Sequence, residues 1–176
     1  MARHTAPMGD GSAWAIEGAL NPSVLRVHVR AALTDRTIEP CPPGAAPAPL
    51  DRLLAVEEVR SLDLHRYRVR VNLRPGAGRA AVTRRAGEVL GDAWGPAVAL
   101  PPDPPPRAFG HPYDGARIVA ESAEMARASG VRALVAVFAT PGVVEAIAAP
   151  GMVLVRIGRL FGWEEAEPAV AAALAQ

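Results

Sequence analysis

Two runs of alternating arginines are the residues of this chain best placed to do chemistry. Arg26, His28 and Arg30 alternate with Leu25, Val27 and Val29, and Arg66, Arg68 and Arg70 alternate with Tyr67, Val69 and Val71. A period of two puts each set on one face of a strand. On neighbouring strands the two sets would make one basic sheet face. Guanidinium forks pair bidentately with carboxylates and phosphates, so such a face would take an acidic protein surface or a nucleic-acid backbone. The plainer reading is a solvated outer face, matched in part by Asp63 and Glu39. Aromatic rings that stack bases are scarce beside these arginines, which disfavours single-stranded nucleic acid. The candidate partner-binding residues are Arg26, Arg30, Arg66, Arg68 and Arg70.

Other constellations carry less. Gly76-Ala77-Gly78-Arg79-Ala80-Ala81 fits Gly-x-Gly-x-x-Ala between a strand and a helix, but a dinucleotide fold needs a parallel strand next and an acid about 20 residues on. A proline-rich stretch follows instead, so a plain loop is expected and no cofactor. Cys41 is the only cysteine. It excludes an intrachain disulfide and any site built from several thiolates of one chain. It lies in a proline-rich loop, where an exposed thiol is one reading and an ordinary loop residue the better one. His4, His28, His65 and His111 have no ligand spacing, so no metal is expected. Asp51, Glu57 and Glu58 read as a solvated helix end. No Ser/His/Asp set is identifiable, and no catalytic residue is assigned. The enzymatic alternative is a site in a cleft between the two halves, with Arg70, His65 and Glu145 as its weak candidates.

The composition is globular, with 50% hydrophobic but only 5% aromatic residues. All 19 basic residues are Arg, which we read mainly as codon bias together with the Ala and Pro excess. A net charge of +1 gives no global basic field of the kind nucleic-acid binders show. Residues 1–100 hold 13 Arg against 10 acids, and residues 101–176 hold 6 against 8, a mild opposition that suits docking of the halves. No apolar run reaches the roughly 20 residues that span a bilayer. The first residues lack the apolar core of a signal peptide, so cytoplasmic residence is expected.

The arginine runs need strands to hold them, and period and punctuation supply these. Asn21-Pro22 precedes the strand Leu25–Val29, and a second strand is expected at Thr37–Glu39. A short helix from Leu50 to about Val56 follows the prolines, with Pro49 in its first turn. Val59–Leu64 and Tyr67–Leu73 form a hairpin turned near His65-Arg66, and Ala80–Leu90 is helical. Strands are expected at Arg107–His111 and Ala116–Val119. Ala123–Ala139 is helical in two pieces broken at Ser129-Gly130. A hairpin of Val143–Ala148 and Met152–Ile157 turns at Pro150-Gly151. The chain ends in the helix Trp163–Ala175, with Glu164 and Glu165 in the first turn.

These elements repeat. At an offset of 84 residues Leu50 meets Leu134, Leu53 meets Val137, Val59 meets Val143, Val69 meets Val153, Val71 meets Val155 and Leu90 meets Leu174. The expected fold is α+β, two tandem ββαββα modules, each a mainly antiparallel sheet with helices on one face. The divisions are a flexible leader 1–16, a first module 17–94, a Pro-rich linker 95–107 and a second module 108–176. Met152 and Leu154 fall where the first module has Arg68 and Arg70. That apolar outer face is an expected contact between modules, or between the subunits of a homodimer.

The motifs resemble those of the N-terminal domain of NifU/Nfu-type iron–sulfur scaffold proteins. The first module supplies Asn21-Pro22-Ser23-Val24-Leu25, Pro49-Leu50, and Val59-Arg60-Ser61-Leu62 followed by Val69-Arg70-Val71. The second supplies Phe138-Ala139-Thr140-Pro141-Gly142-Val143, Pro150-Gly151-Met152-Val153-Leu154-Val155 and Trp163-Glu164-Glu165-Ala166-Glu167-Pro168. Glu58 stands where the family has Gly, and the second module lacks the opening Asn-Pro. The family's cluster-binding Cys-x-x-Cys has no counterpart here. The resemblance implies the domain fold and a non-enzymatic accessory role near iron–sulfur assembly, with a protein partner that supplies the cysteines. Nucleic acid and membrane are not expected partners.

Overall fold

The computed structural model describes residues 13–176. It divides into two units: the described residues up to Leu33 with Ile38–Leu100, and Thr34–Thr37 with Pro101–Gln176. Each unit holds one four-stranded antiparallel sheet, so the fold is α+β.

The first unit contains β1 (Trp14–Gly18), β2 (Val24–Val29), α1 (Leu50–Leu53), β3 (Val59–His65), β4 (Arg68–Leu73) and α2 (Arg79–Trp94). Its sheet, sheet A, has the order β1-β2-β4-β3. Alternation decides its two faces. Leu25, Val27, Val29, Leu62, Leu64, Val69, Val71 and Leu73 are buried in one core with Leu50, Leu53, Val82, Ala86 and Leu90 from the helices. The spacing of Val82, Ala86 and Leu90 puts one stripe of α2 inward. Each fully buried Leu or Val there is worth about 1.5–3 kcal/mol.

Strand β1 was not anticipated. The expected leader, residues 1–16, gives up its last three to this strand, and residues 1–12 lie outside the described residues. Trp14 is buried, donates through Nε1 to the Gly95 carbonyl at 2.9 Å and meets Trp94 edge-on at 6.1 Å. Burial of this indole with its N–H satisfied is what holds so short a strand. The strand expected at Thr37–Glu39 reduces to a single bridge, Ile38 with Leu64. Pro40 has no N–H to continue a ladder, and only the Cys41 N–H reaches β3 again, at the Leu62 carbonyl (2.7 Å). Helix α1 ends at Leu53, short of Val56.

The second unit contains β5 (Arg107–Gly110), β6 (Ile118–Ala120), α3 (Ala123–Ser129), α4 (Arg132–Phe138), β7 (Val143–Ala149), β8 (Met152–Ile157) and α5 (Trp163–Leu174). Its sheet, sheet B, has the order β5-β8-β7-β6. The expected linker, 95–107, yields its last residue to β5, because Arg107 pairs with Val155. The Ser122 hydroxyl accepts from the Met125 N–H at 3.1 Å and caps α3, which ends at Gly130 in the left-handed region (φ +69). Among the described residues no helix is long and apolar enough to cross a membrane.

Both hairpins carry the same irregularity. Val59 pairs with Leu73 and Ser61 with Asn72, leaving Arg60 as the extra residue of a β-bulge. Val143 pairs with Ile157 and Glu145 with Arg156, leaving Val144 extra. The backbone bond closing each corner also recurs, Arg74 N–H to the Glu58 carbonyl and Gly158 N–H to the Gly142 carbonyl, both 2.8 Å.

Candidate functional site

On the face of sheet A turned away from its core, the central line is polar from edge to edge. In one line across the strands Glu17 pairs with Arg26, Arg26 with Arg70, and Arg70 with Asp63. The line reads acid, base, base, acid. A second line sets His28 beside Arg68 and Arg68 beside His65, and a third sets Asn72 beside Ser61.

The acids of this face are engaged. Glu17 Oε2 lies 2.8 Å from His28 Nε2 and 3.8 Å from an Arg26 guanidinium nitrogen. Asp63, buried to 7% exposure, accepts from Asn72 Nδ2 at 2.9 Å and lies 3.8 Å from Arg70 Nε. Asn72 Nδ2 also donates to the Ser61 hydroxyl at 3.1 Å. Glu39 Oε1 sits 3.1 Å from His65 Nε2.

The bases are less well matched. Arg26 and Arg70 stand directly opposite each other on adjacent strands, with side chains 41% and 46% exposed. Like charges so placed cost a sheet a few tenths to about 1 kcal/mol. Arg68 is pushed below its ordinary value, first by burial and then by the Arg26 charge, while Glu17 and Glu39 pull the other way. Its buried Nε has no hydrogen-bond partner. The centre of the face therefore sets three guanidiniums side by side, with the balancing carboxylates Glu17, Asp63 and Glu39 around them.

Of the five arginines expected to form the site, Arg26, Arg68 and Arg70 share this face. Arg30 lies one residue beyond β2, exposed. Arg66 falls in the hairpin turn, because β3 runs on to His65 and β4 starts only at Arg68, and its guanidinium lies over the Tyr67 ring at 5.3 Å. Tyr67 thus precedes β4, but it is buried and its carbonyl still accepts from the Val29 N–H at 3.1 Å.

Sequence reasoning missed Arg60, Ser61 and Asn72. A signal for the first was available. Apolar residues at Val59, Leu62 and Leu64 are spaced three and then two apart, and the irregular step marks the bulge that turns Arg60 outward.

Cys41 is buried at 5% exposure, and burial, reinforced by the Asp63 charge, pushes its thiol up. The exposed, reactive thiol is excluded by that position. Gly76 to Gly78 forms the turn ahead of α2, with Gly76 at φ +80 and no side-chain cap on the helix. Among the described residues no three His, Cys, Asp or Glu side chains gather as a metal site. His65 and Arg70, two of the three weak candidates of the enzymatic alternative, lie on the face of sheet A. Glu145 belongs to β7 of the second unit.

Comparison with family models, with curated proteins and with solved structures finds no match to this chain.

Proposed function

We propose that this chain is a non-enzymatic interaction protein of the cytoplasm that docks an acidic partner on the outer face of sheet A. The observation that carries the reading is the Arg26–Arg70 pair, two half-exposed guanidiniums held side by side at the centre of a sheet at some cost in stability. Each guanidinium has only one flanking acid, at 3.8 Å, and an incoming carboxylate would relieve the like-charge contact between them. A role beside iron–sulfur assembly rests on the motif resemblance. The lone buried thiol fits a chain that holds no cluster itself and recruits a partner for the cysteines.

The same reading takes the two units as copies of one ββαββα module. Support comes from the hairpins, whose register, bulge and corner bond coincide at the 84-residue offset. The copies differ in the extra edge strand β1, in β6 where the first unit has only the Ile38 bridge, and in the split helix α3–α4.

The test is capture of partners from host lysate by the wild-type chain and by an Arg26→Glu/Arg70→Glu variant. An acidic protein retained by the first, released by salt and lost by the second is the expected result. Equal retention by both overturns the docking face. A stoichiometric iron–sulfur cluster on the purified chain alone overturns the accessory role.

A further inference from the structure

Beside β3 the polar face of sheet A dips into a shallow depression of about 430 Å³, lined among others by Arg60, Ser61, Asp63, Arg70, Asn72 and Glu39. Its two acids are already in use, Asp63 by Asn72 and Arg70, and Glu39 by His65. Its donors are not. The Arg60 side chain, turned out by the bulge, makes no hydrogen bond or ion pair among the described residues. Arg70 reaches Asp63 only through Nε at 3.8 Å, which leaves the two terminal nitrogens of its fork for another acceptor. The Ser61 oxygen accepts from Asn72, so its hydroxyl proton is free to be donated.

We propose that this depression seats a single carboxylate, an Asp or Glu side chain carried by an acidic segment of a partner protein. Arg60 and Arg70 clamp it, and the Ser61 hydroxyl donates to it. The inference rests on the acidic-partner reading of the face and narrows it to one place. Three features choose this occupant. Free donors, beside acids that are each already paired through one oxygen, select an anion. Two guanidiniums against two carboxylates leave no formal surplus charge, so the repulsion by Asp63 and Glu39 disfavours a phosphate dianion more than a monoanion. A shallow, open hollow does not enclose a small ligand, which needs most of its surface buried, but it does receive one side chain of a larger surface.

The test uses the full chain and three synthetic peptides of alternating Gly with Glu, with Gln or with phosphoserine, followed by amide chemical shifts. The Glu peptide is expected to shift the amides of residues 60–63 and 70–72 saturably, and the Gln peptide to leave them unmoved. Arg60→Gln, an exposed change whose folding the dispersion of the amide spectrum reports, should weaken binding roughly five-fold. Unchanged affinity in Arg60→Gln overturns the seat, and so does a phosphoserine peptide bound ten-fold or more tightly than the Glu peptide. Arg26→Gln separates the two levels of the argument. Weakening by Arg26→Gln alone leaves the face standing without the seat, whereas weakening by neither variant, or no binding to the wild-type chain, removes both.

Discussion

The outer faces of sheets A and B occupy corresponding positions on corresponding strands, yet the central line of one is charged and that of the other apolar. Across sheet A the central line is Glu17, Arg26, Arg70 and Asp63. The line in sheet B is Ala108, Leu154, Ile147 and Val119. Leu154 stands 84 residues after Arg70, and Ile147 the same distance after Asp63. Register, bulge and inward-facing valines are shared, so the backbone does not require either chemistry. What the fold fixes is the inner face, and what varies is the face available for recognition.

The comparison breaks most sharply at one corner. Gly142 has φ +89, and a Cβ there would lie 2.6 Å from the Phe161 ring. Eighty-four residues earlier the pair is Glu58 and Ala77, and no residue other than glycine has positive φ among those described. The first unit therefore closes the same corner with ordinary backbone. Gly142→Ala is expected to cost more than about 2 kcal/mol, from strain and from displacement of a buried ring. Glu58→Gly should cost the entropy of a loop glycine and the exposed ion pair with Arg85, together about 1–1.5 kcal/mol. Hydrogen exchange read strand by strand would show loss of protection in β7 and β8 for the first variant. Equal losses in the two units would mean that the corners are not alternative solutions.

The next effect tests whether the charged face is structural or functional. Asp63→Ala takes from the Asn72 amide its bond to the carboxylate and leaves the Arg26 and Arg70 charges less well balanced, and should cost about 1–2 kcal/mol. Importing the apolar pair of sheet B as Asp63→Ile/Arg70→Leu removes both charges at once and leaves Asn72 its bond to Ser61. That double variant should lie within about 1 kcal/mol of wild type in denaturant melts, because no charge is left unpaired. It should also lose the acidic peptide. A double variant less stable than Asp63→Ala would show that the polar line holds sheet A together.

The contrast between the faces was legible in the alternation of Arg66–Leu73 and Met152–Ile157, since period two assigns a face without knowledge of neighbours. Adjacency of β2 and β4, which makes one patch of two stripes, followed from the basic faces only as a condition and needed the sheet order. Arg60 escaped because the alternation model assumes an unbroken register, and the burial of Asp63 escaped because a carboxylate on an outer face reads as solvated. Strand β1 escaped for another reason. Five residues with only Trp14 and Ile16 as large apolar side chains are too few to show a period, and the strand exists through tertiary burial of Trp14.

The smallest expected effect concerns the edges that flank the two faces. In sheet B the edge of β7 is covered by strand β6, whereas in sheet A the edge of β3 is covered by the Ile38 bridge and the Cys41 N–H. Proline-interrupted cover holds the Cys41 thiol inside, where burial and Asp63 raise it above its ordinary value of 9.0. Below that value the thiol is protonated both folded and unfolded and contributes nothing to pH dependence. Above it the unfolded chain gives up the proton while the folded chain keeps it, so unfolding releases a proton and stability falls as pH rises. The slope from this one group is at most about 1.4 kcal/mol per pH unit. Cys41→Ala should flatten the alkaline limb of stability against pH by that contribution, whatever its effect at neutral pH. Alkylation of the wild-type thiol should likewise be slow and gated by opening of the 38–41 segment, because a buried neutral thiol is a poor nucleophile. Rapid alkylation under native conditions, with exchange protection of Ile38 and Leu64 intact, would mean that the thiol escapes without the edge opening. The cover of sheet A would then not be the substitute for β6 that its hydrogen bonds make it.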